Sequence, residues 1–116
     1  MKIDHLAFGS IRVNGVTYSH DVVIDQGKVR ERKKGPSKRL REEYGHTPLS
    51  DGERIPWECE RLVIGTGAYG ALPVTDEVVE EAKRRRVELL VLPTAEAIIA
   101  LCATAEQTNA ILHVTC

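Results

Sequence analysis

One stretch of the chain decides the fold. Residues 62–92 read LVIGTGAYGALPVTDEVVEEAKRRRVELLVL, a short apolar run, a glycine-rich loop, a segment with helical periodicity and a second apolar run. A strand, a helix and a strand within about thirty residues have the size of one crossover unit. The stretch therefore predicts an α/β fold, and its loop at 65–70 is where a ligand can approach bare backbone.

Two helices and a last strand are predicted in this half of the chain. Thr75 is the predicted N-cap of the first helix because two acidic residues follow it. The buried stripe of this helix is predicted at Val78, Val79 and Ala82. Thr94 is the predicted cap of the second helix. The apolar face of that helix follows the spacing i, i+3, i+4, i+7 at Ile98, Leu101, Cys102 and Ala105. The final strand is expected at 111–114.

The N-terminal part of the chain is rich in strands. Asn14-Gly15 stands between apolar residues at 11–13 and 16–18. This dipeptide predicts a tight hairpin, since both turn positions need positive φ. Another strand at 22–24 and a turn at 25–27 follow, and the return strand is expected to start at Val29.

Length and composition are those of an ordinary soluble domain. The 116 residues are 42% hydrophobic and 28% charged, which predicts one domain over residues 1–116. No apolar run is long enough to span a bilayer, and the N-terminus lacks the apolar centre of a secretion signal. Three widely spaced cysteines, an odd number, indicate free thiols and a reducing compartment. We therefore predict a cytoplasmic protein.

Positive charge is concentrated in residues 28–41. This segment holds eight basic residues and one acidic residue, a net charge of +7, although the whole chain carries −1. The overlapping segment 31–56 is rich in glycine and proline, which predicts a long, mostly exposed connection with one short helical turn near 36–44. A solvated loop or a patch for an acidic protein partner is favoured over a nucleic-acid site, because only Tyr44 lies nearby to stack on a base.

The glycine loop has three interpretations. Residues 65–70 match G-x-G-x-x-G, but Pro73 and Thr75 delay the helix that a dinucleotide site needs inside the motif. The loop is otherwise a turn that only requires glycine conformations, or a site where spare amides bind a small anionic or acyl ligand. The candidate ligand-binding residues are Gly65, Thr66, Gly67, Tyr69, His46 and Arg61.

No catalytic residue, metal site or cofactor is predicted. His113-x-x-Cys116 has a spacing seen in metal sites, but side chains three apart in a strand point to opposite faces unless the strand ends early. Cys102 is expected to pack as a small hydrophobic residue. A reactive thiol at Cys59, beside Trp57, is not favoured.

Four separated blocks of the chain resemble one known family. The opening block is Phe8-Gly9-x-Ile11-x-Val13-x-Gly15-x-x-Tyr18-x-x-Asp21-Val22-Val23-Ile24. The other blocks are 62–67, Thr94-x-x-Ala97 and 112–116. In this order they resemble the MTH-nine-three-eight-like domain family, whose relatives include an adipogenesis-associated protein and a mitochondrial assembly factor for respiratory complex I.

The resemblance carries expectations about structure and function. It implies a layered α/β domain with a mixed central β-sheet, packed helices and an N-terminal β-hairpin region that gives a partial barrel. It implies no established activity, cofactor or catalytic residue. Leu101-Cys102 stands where many relatives have Tyr-Asn, so a function built on that pair is not expected here.

Two functions remain open at this point. The first is a non-enzymatic interaction or assembly module that recognises a protein partner through residues 31–56 and the glycine loop. The alternative is a protein that binds a small anionic metabolite at 65–70, with or without weak enzymatic turnover. Neither function involves a membrane.

Overall fold

Eight strands and three helices form the fold of the described residues. The computed structural model describes residues 1–103 and 106–116. The strands are β1 (Ile3–Ala7), β2 (Ser10–Val13), β3 (Val16–Tyr18), β4 (Val22–Asp25), β5 (Lys28–Glu31), β6 (Arg61–Thr66), β7 (Glu88–Leu92) and β8 (Thr108–His113). The helices are α1 (Arg41–Tyr44), α2 (Asp76–Arg85) and α3 (Thr94–Ala103), and a 3₁₀ turn spans Gly35–Leu40.

The central sheet has five strands in the order β5-β4-β8-β6-β7. The crossover unit supplies β6 and β7, which pair in parallel with α2 between them in sequence. Strand β8 pairs in parallel with β6 and antiparallel with β4, and β5 pairs antiparallel with β4 at the edge. The predicted α/β fold with a mixed sheet is confirmed.

The smaller sheet contains β1, β2 and β3, all antiparallel. Its hairpin turns at Asn14 and Gly15, whose φ angles are 51° and 81°, so the predicted tight turn is confirmed. Gln26 and Gly27 form the corresponding turn between β4 and β5 with φ angles of 51° and 80°. The described strands lie in two separate sheets and do not close a barrel, so the partial barrel is not confirmed.

Apolar side chains fill both faces of the central sheet. Val22, Ile24 and Val63 point to the face covered by α3 and the smaller sheet. Val23 and Ile64 point to the other face, which α2 and residues 49–57 cover. Full burial of one such side chain contributes about 1.5–3 kcal/mol. Residues 62–64 of β6 form a continuous apolar run because the strand is covered on both sides.

Helix α3 presents a different stripe from the predicted one. Thr94, Ala97 and Leu101 are buried, whereas Cys102 is exposed and the prediction that it packs in the core is wrong. The sheet-facing stripe begins at Thr94, which rotates Cys102 to the outside of the helix. Ala105, the fourth residue of the predicted face, lies outside the described residues. None of the helices in the described ranges is long and apolar enough to cross a membrane.

Segment 31–56 is anchored to the body of the protein. The predicted helical turn is confirmed as the 3₁₀ turn and α1. The prediction of a mostly exposed connection is wrong for part of the segment, because eight of its residues are buried: Arg32, Ser37, Pro48, Leu49, Ser50, Glu53, Ile55 and Pro56. Leu49 pairs with Val74, just ahead of α2, and packs in the second apolar cluster. The basic residues are thus carried on a fixed support.

Candidate functional site

The amides of the glycine loop are used inside the protein. The Gly67 amide donates to Thr94 Oγ1 at 2.8 Å, and the Ala68 amide donates to the Thr115 carbonyl at 2.7 Å. The Tyr69 and Ala71 amides both donate to the Cys116 carbonyl at 3.1 Å. These amides are not spare, which removes the premise of a ligand site built on them. The loop binds the chain's own residues 115–116 instead.

Gly67 has no room for a side chain. Its φ is 103°, and a Cβ added there would lie 2.3 Å from the carbonyl carbon of Cys116 and 2.8 Å from His113 Cδ2. Close backbone packing and positive φ both require glycine at this position. The glycine at this position is therefore explained by the close approach of the loop backbone to residues 113–116.

The two threonines that were predicted as helix caps differ in what their side chains contact. Thr94 Oγ1 accepts from the Gly67 amide and donates to the His113 carbonyl at 2.6 Å, so it joins α3, the loop and β8. Thr75 stands at the N-cap position of α2, but its side chain makes no cap hydrogen bond. Its buried Oγ1 has no hydrogen-bond partner among the described residues.

A charged network lies beneath segment 31–56. The Arg32 side chain, only 1% exposed, forms a two-point ion pair with Glu53 through Nε and Nη2, each at 2.8 Å. Its Nη1 donates to Asp21 Oδ2 at 2.8 Å, and Ser37 donates to Glu53 Oε2 at 2.5 Å. Buried charges persist in proteins when they are paired and hydrogen-bonded in this way.

Asp21 connects this network to the end of β8. Its Oδ2 accepts from His113 Nδ1 at 2.8 Å, and its Oδ1 accepts from the Val114 amide at 3.0 Å. Burial raises the pKa of this carboxyl, but the hydrogen bond and charge of His113, the Val114 amide and Arg32 outweigh it and lower the pKa to about 2. Asp21 is therefore a carboxylate at neutral pH.

His113 and Cys116 lie together, which corrects the prediction that they face apart. Strand β8 ends at His113, so the alternation of side chains stops there. His113 Nε2 is 3.5 Å from Cys116 Sγ and 3.1 Å from Thr115 Oγ1. On the other side of the thiol, His46 Nδ1 is 3.6 Å from Cys116 Sγ. A carboxylate, an imidazole and a thiol thus lie in one chain of contacts.

These groups open into a small pocket, which we call the basic pocket. Its volume is about 170 Å³. Its lining residues are Arg32, Lys34, Arg41, Gly45, His46, Thr47, Leu72, His113, Thr115 and Cys116. None of these lining residues is acidic. Within the described part of the chain, the side chains of Lys34 and Arg41 form no ion pair or hydrogen bond. The pocket is therefore a positively charged concavity.

The structure brings only one predicted side chain to the basic pocket, His46. Gly65 and Thr66 lie within β6 and are paired with β8, and Gly67 forms the support behind the C-terminal residues. Tyr69 is 80% exposed and lies beside Phe8, at a ring-centroid distance of 6.4 Å. Arg61 lies at the opposite end of β6, where it pairs with Glu88 at 3.0 Å.

Other features of the described residues offer less chemistry. A larger cavity, about 640 Å³, lies between the β4–β5 turn and Trp57, and both acidic and basic side chains line it. Burial raises the pKa of the Cys59 thiol, so this thiol is less reactive than an ordinary one. No group of three or more His, Cys, Asp or Glu in residues 1–103 and 106–116 is arranged to hold a metal ion.

A family model covers nearly the whole chain. It describes a protein of unknown function, DUF498/DUF598, and matches residues 3–112. The chain belongs to this family. No curated protein matches it significantly. The blocks that resemble MTH-nine-three-eight-like domains lie within or next to the matched residues, and a solved structure described as an Mth938-like domain supports that resemblance.

Solved structures share the fold of this DUF498 member. The conserved hypothetical protein PH1505 from Pyrococcus horikoshii OT3 is 28% identical with a TM-score of 0.82, and the match covers 100% of both chains. A structure named MT938 is 27% identical with a TM-score of 0.67, over 98% of this chain and 97% of that one. The Mth938-like domain from Bordetella pertussis is 20% identical with a TM-score of 0.63, over 97% and 84%, and indicates the fold alone. None of these three structures is described with an enzymatic activity.

Asp21 was not predicted as a member of any site, and Lys34 and Arg41 were considered only as part of the basic segment 28–41. Asp21 is more than 90 residues from His113 in sequence, and no local pattern links the two. The signal that was present is His113-x-x-Cys116 just after a strand. This motif predicts a contact between the two side chains only if the strand ends at His113.

Proposed function

We propose that this protein binds a small anionic ligand in the basic pocket. The observation that carries the proposal is the convergence of Lys34, Arg41 and His46 on a concavity whose lining contains no acidic residue. Cations that face a partly enclosed space attract anions more strongly than cations on an open surface. The pocket therefore replaces the glycine loop as the anion site.

The support beneath the pocket favours a fixed site. Arg32 contributes little free charge because Asp21 and Glu53 neutralise it, but it holds segment 31–56 in place. Lys34 and Arg41 flank the 3₁₀ turn that this segment carries. A volume of about 170 Å³ suits a phosphate or a short carboxylate rather than a whole nucleotide.

The test is a phosphate titration with a matched pair of double variants. Lys34→Ala/Arg41→Ala removes two cations that line the pocket. Lys38→Ala/Arg39→Ala removes the same charge from the same segment outside the pocket lining. Isothermal titration calorimetry with inorganic phosphate, pyrophosphate and citrate should show affinity reduced about tenfold or more only in the first variant. Equal losses in both variants, or no binding by the wild type, would overturn the proposal.

A second candidate is recognition of an acidic protein partner, as in an assembly module. Lys38 and Arg39 are exposed, and within the described residues neither side chain has an ion-pair partner, so they enlarge the positive surface beyond the pocket. Under this function both double variants weaken binding of a polyglutamate peptide equally. Raising the salt concentration should weaken it further because exposed charges are screened.

We also propose a reducing compartment such as the cytoplasm. All three cysteines are free, and the Cys116 thiol faces the basic pocket. Proteins with unpaired thiols are typical of reducing compartments. Fractionation of the native cells followed by thiol labelling of each fraction tests this placement.

A further inference from the structure

We propose that Cys116 is a nucleophilic thiol that accepts an acyl group from a thioester, with His113 as its general base and Asp21 as a positioning residue. The proposal goes beyond anion binding because it assigns a reaction to the pocket. Only its preference for an anionic thioester rests on the proposed function.

The geometry has the order that a nucleophile, a base and an orienting carboxylate require. The Asp21 carboxylate accepts from His113 Nδ1 at 2.8 Å, which leaves Nε2 as the acceptor nitrogen. Nε2 lies 3.5 Å from Cys116 Sγ, close enough to take the thiol proton. Three hydrogen bonds to residues 115–116 from Ala68, Tyr69 and Ala71 fix the thiol's backbone. The constellation is therefore built and supported.

The other two cysteines lack this environment. Cys102 is exposed on α3, and no described imidazole contacts it. Cys59 is half-buried and its thiol donates to the Pro56 carbonyl at 3.5 Å. The protein thus contains its own reference thiols.

Charged or titratable groups face Cys116 from several elements. They are Arg32 after β5, Lys34 before the 3₁₀ turn, Arg41 on α1, His46 after α1 and His113 on β8.

Two pockets share His113 as a lining residue and suggest the substrate class. One is the basic pocket. The other is an apolar pocket of about 200 Å³, lined by Leu6, Ala7, Phe8, Ala68, Ala95 and Val114 with Thr94 and His113. His113 lines both pockets. A thioester with a short acyl group and an anionic thiol portion matches this pair, because each end meets its own chemistry.

The reaction balances without an oxidant, reductant or metal. His113 Nε2 takes the proton from Cys116 Sγ, and the sulfur lone pair forms a bond to the thioester carbonyl carbon. The bond from that carbon to the original sulfur then breaks. The leaving thiolate takes the proton from His113, so a free thiol and an acylated Cys116 are the products.

The first test compares the three thiols within one protein. The folded wild type is treated with acetyl-N-acetylcysteamine, a neutral acyl thioester, and acetylation of each cysteine is followed by peptide mass spectrometry over pH 5.5–8. Cys116 should react at least about tenfold faster than Cys102 at pH 6.5, the size of effect that a positioned base supplies. Equal rates at Cys116 and Cys102 would overturn the proposal.

Variants then separate base, positioning and structure. His113→Gln should reduce the Cys116 rate to that of Cys102 and leave Cys102 unchanged. Asp21→Asn should shift the pH profile of Cys116 acetylation and not only lower its maximum. Cys102→Ser should leave Cys116 acetylation unaffected. If His113→Gln, shown to be folded by circular dichroism, acetylates Cys116 at the wild-type rate, the assigned base is wrong.

A second thioester distinguishes this inference from the proposed function. S-acetylthioglycolate is a short anionic donor, and the wild type should acetylate Cys116 faster with it than with the neutral donor; Lys34→Ala/Arg41→Ala should lose about tenfold or more of that preference. The wild type could react with the neutral donor but show no preference for the anionic donor. That result would support the thiol chemistry and overturn the anion site. If neither donor acetylates Cys116 quickly, the thiol chemistry is overturned and the proposed anion binding is not.

Discussion

The glycine loop and the basic pocket lie on the two sides of residues 113–116 and use their polar groups in opposite ways. In the loop, the amides of residues 67–71 are all hydrogen-bonded within the protein. In the pocket, Lys34 and Arg41 have no side-chain partner among the described residues. The loop therefore fixes structure, whereas the pocket leaves charge available. A glycine motif after a strand shows that something approaches the backbone, and here that is the chain's own end.

The largest effect is expected where the pocket's support is removed. Arg32→Met leaves Asp21 and Glu53 as buried carboxylates without their cation. The free energy of unfolding should fall by about 3–5 kcal/mol, measured by urea denaturation. Arg12→Met, which breaks the exposed pair with Asp4, is the matched control and should cost far less. Similar losses in the two variants would contradict the role given to the buried network.

The next largest loss of stability is expected in the glycine loop. Gly67→Ala places a Cβ against Cys116 and His113 at a φ of 103°, and should cost about 2–4 kcal/mol. In Gly70→Ala the nearest atom lies at 3.5 Å and φ is 67°, so about 1 kcal/mol is expected from strain alone. Hydrogen exchange at the Ala68 and Tyr69 amides should quicken only in the first variant. Equal costs would mean that the loop does not clamp the C-terminal residues.

Acid should destabilise the protein through Asp21. The pKa of its carboxyl is about 2 in the folded protein and 3.8 in the reference state, so its contribution is full above pH 4 and lost as the pH falls towards 2. The loss is about 2 kcal/mol. Urea denaturation at several pH values should show a flatter acid limb for Asp21→Asn than for the wild type. Asp4→Asn, an exposed carboxylate, is the control, and an unchanged limb in Asp21→Asn would refute the linkage.

The smallest effect is a gain in stability. Thr75→Val replaces a buried hydroxyl without a partner by a methyl group and should stabilise the protein by up to about 1 kcal/mol. Thr94→Val makes the same change where the hydroxyl joins the loop to β8, and should cost about 2 kcal/mol. Thermal unfolding of both variants compares the two sites. A loss of stability in Thr75→Val would contradict this prediction.

Features of the fold that depend on hydrophobic periodicity and turn chemistry could be predicted from the sequence. The crossover at 62–92, the Asn14-Gly15 hairpin and the α/β class follow from patterns within a few residues. The site was not predictable in this way because its members come from Asp21, residues 32–47 and residues 113–116, which only the tertiary fold brings together. Cys102 shows the same limit, since a one-residue shift of the buried stripe placed it outside. The strand end at His113 decided whether His113 and Cys116 meet.

The place of β8 in the sheet has a consequence for folding on the ribosome. This strand lies between β4 and β6 although it follows both in sequence, so neither half of the sheet is complete until residues 108–113 have been synthesised. Until then β4 and β6 each carry an open edge, the kind of surface that pairs with other chains. Because its joining contacts span long sequence distances, the domain should fold slowly for its size and depend on chaperones during synthesis.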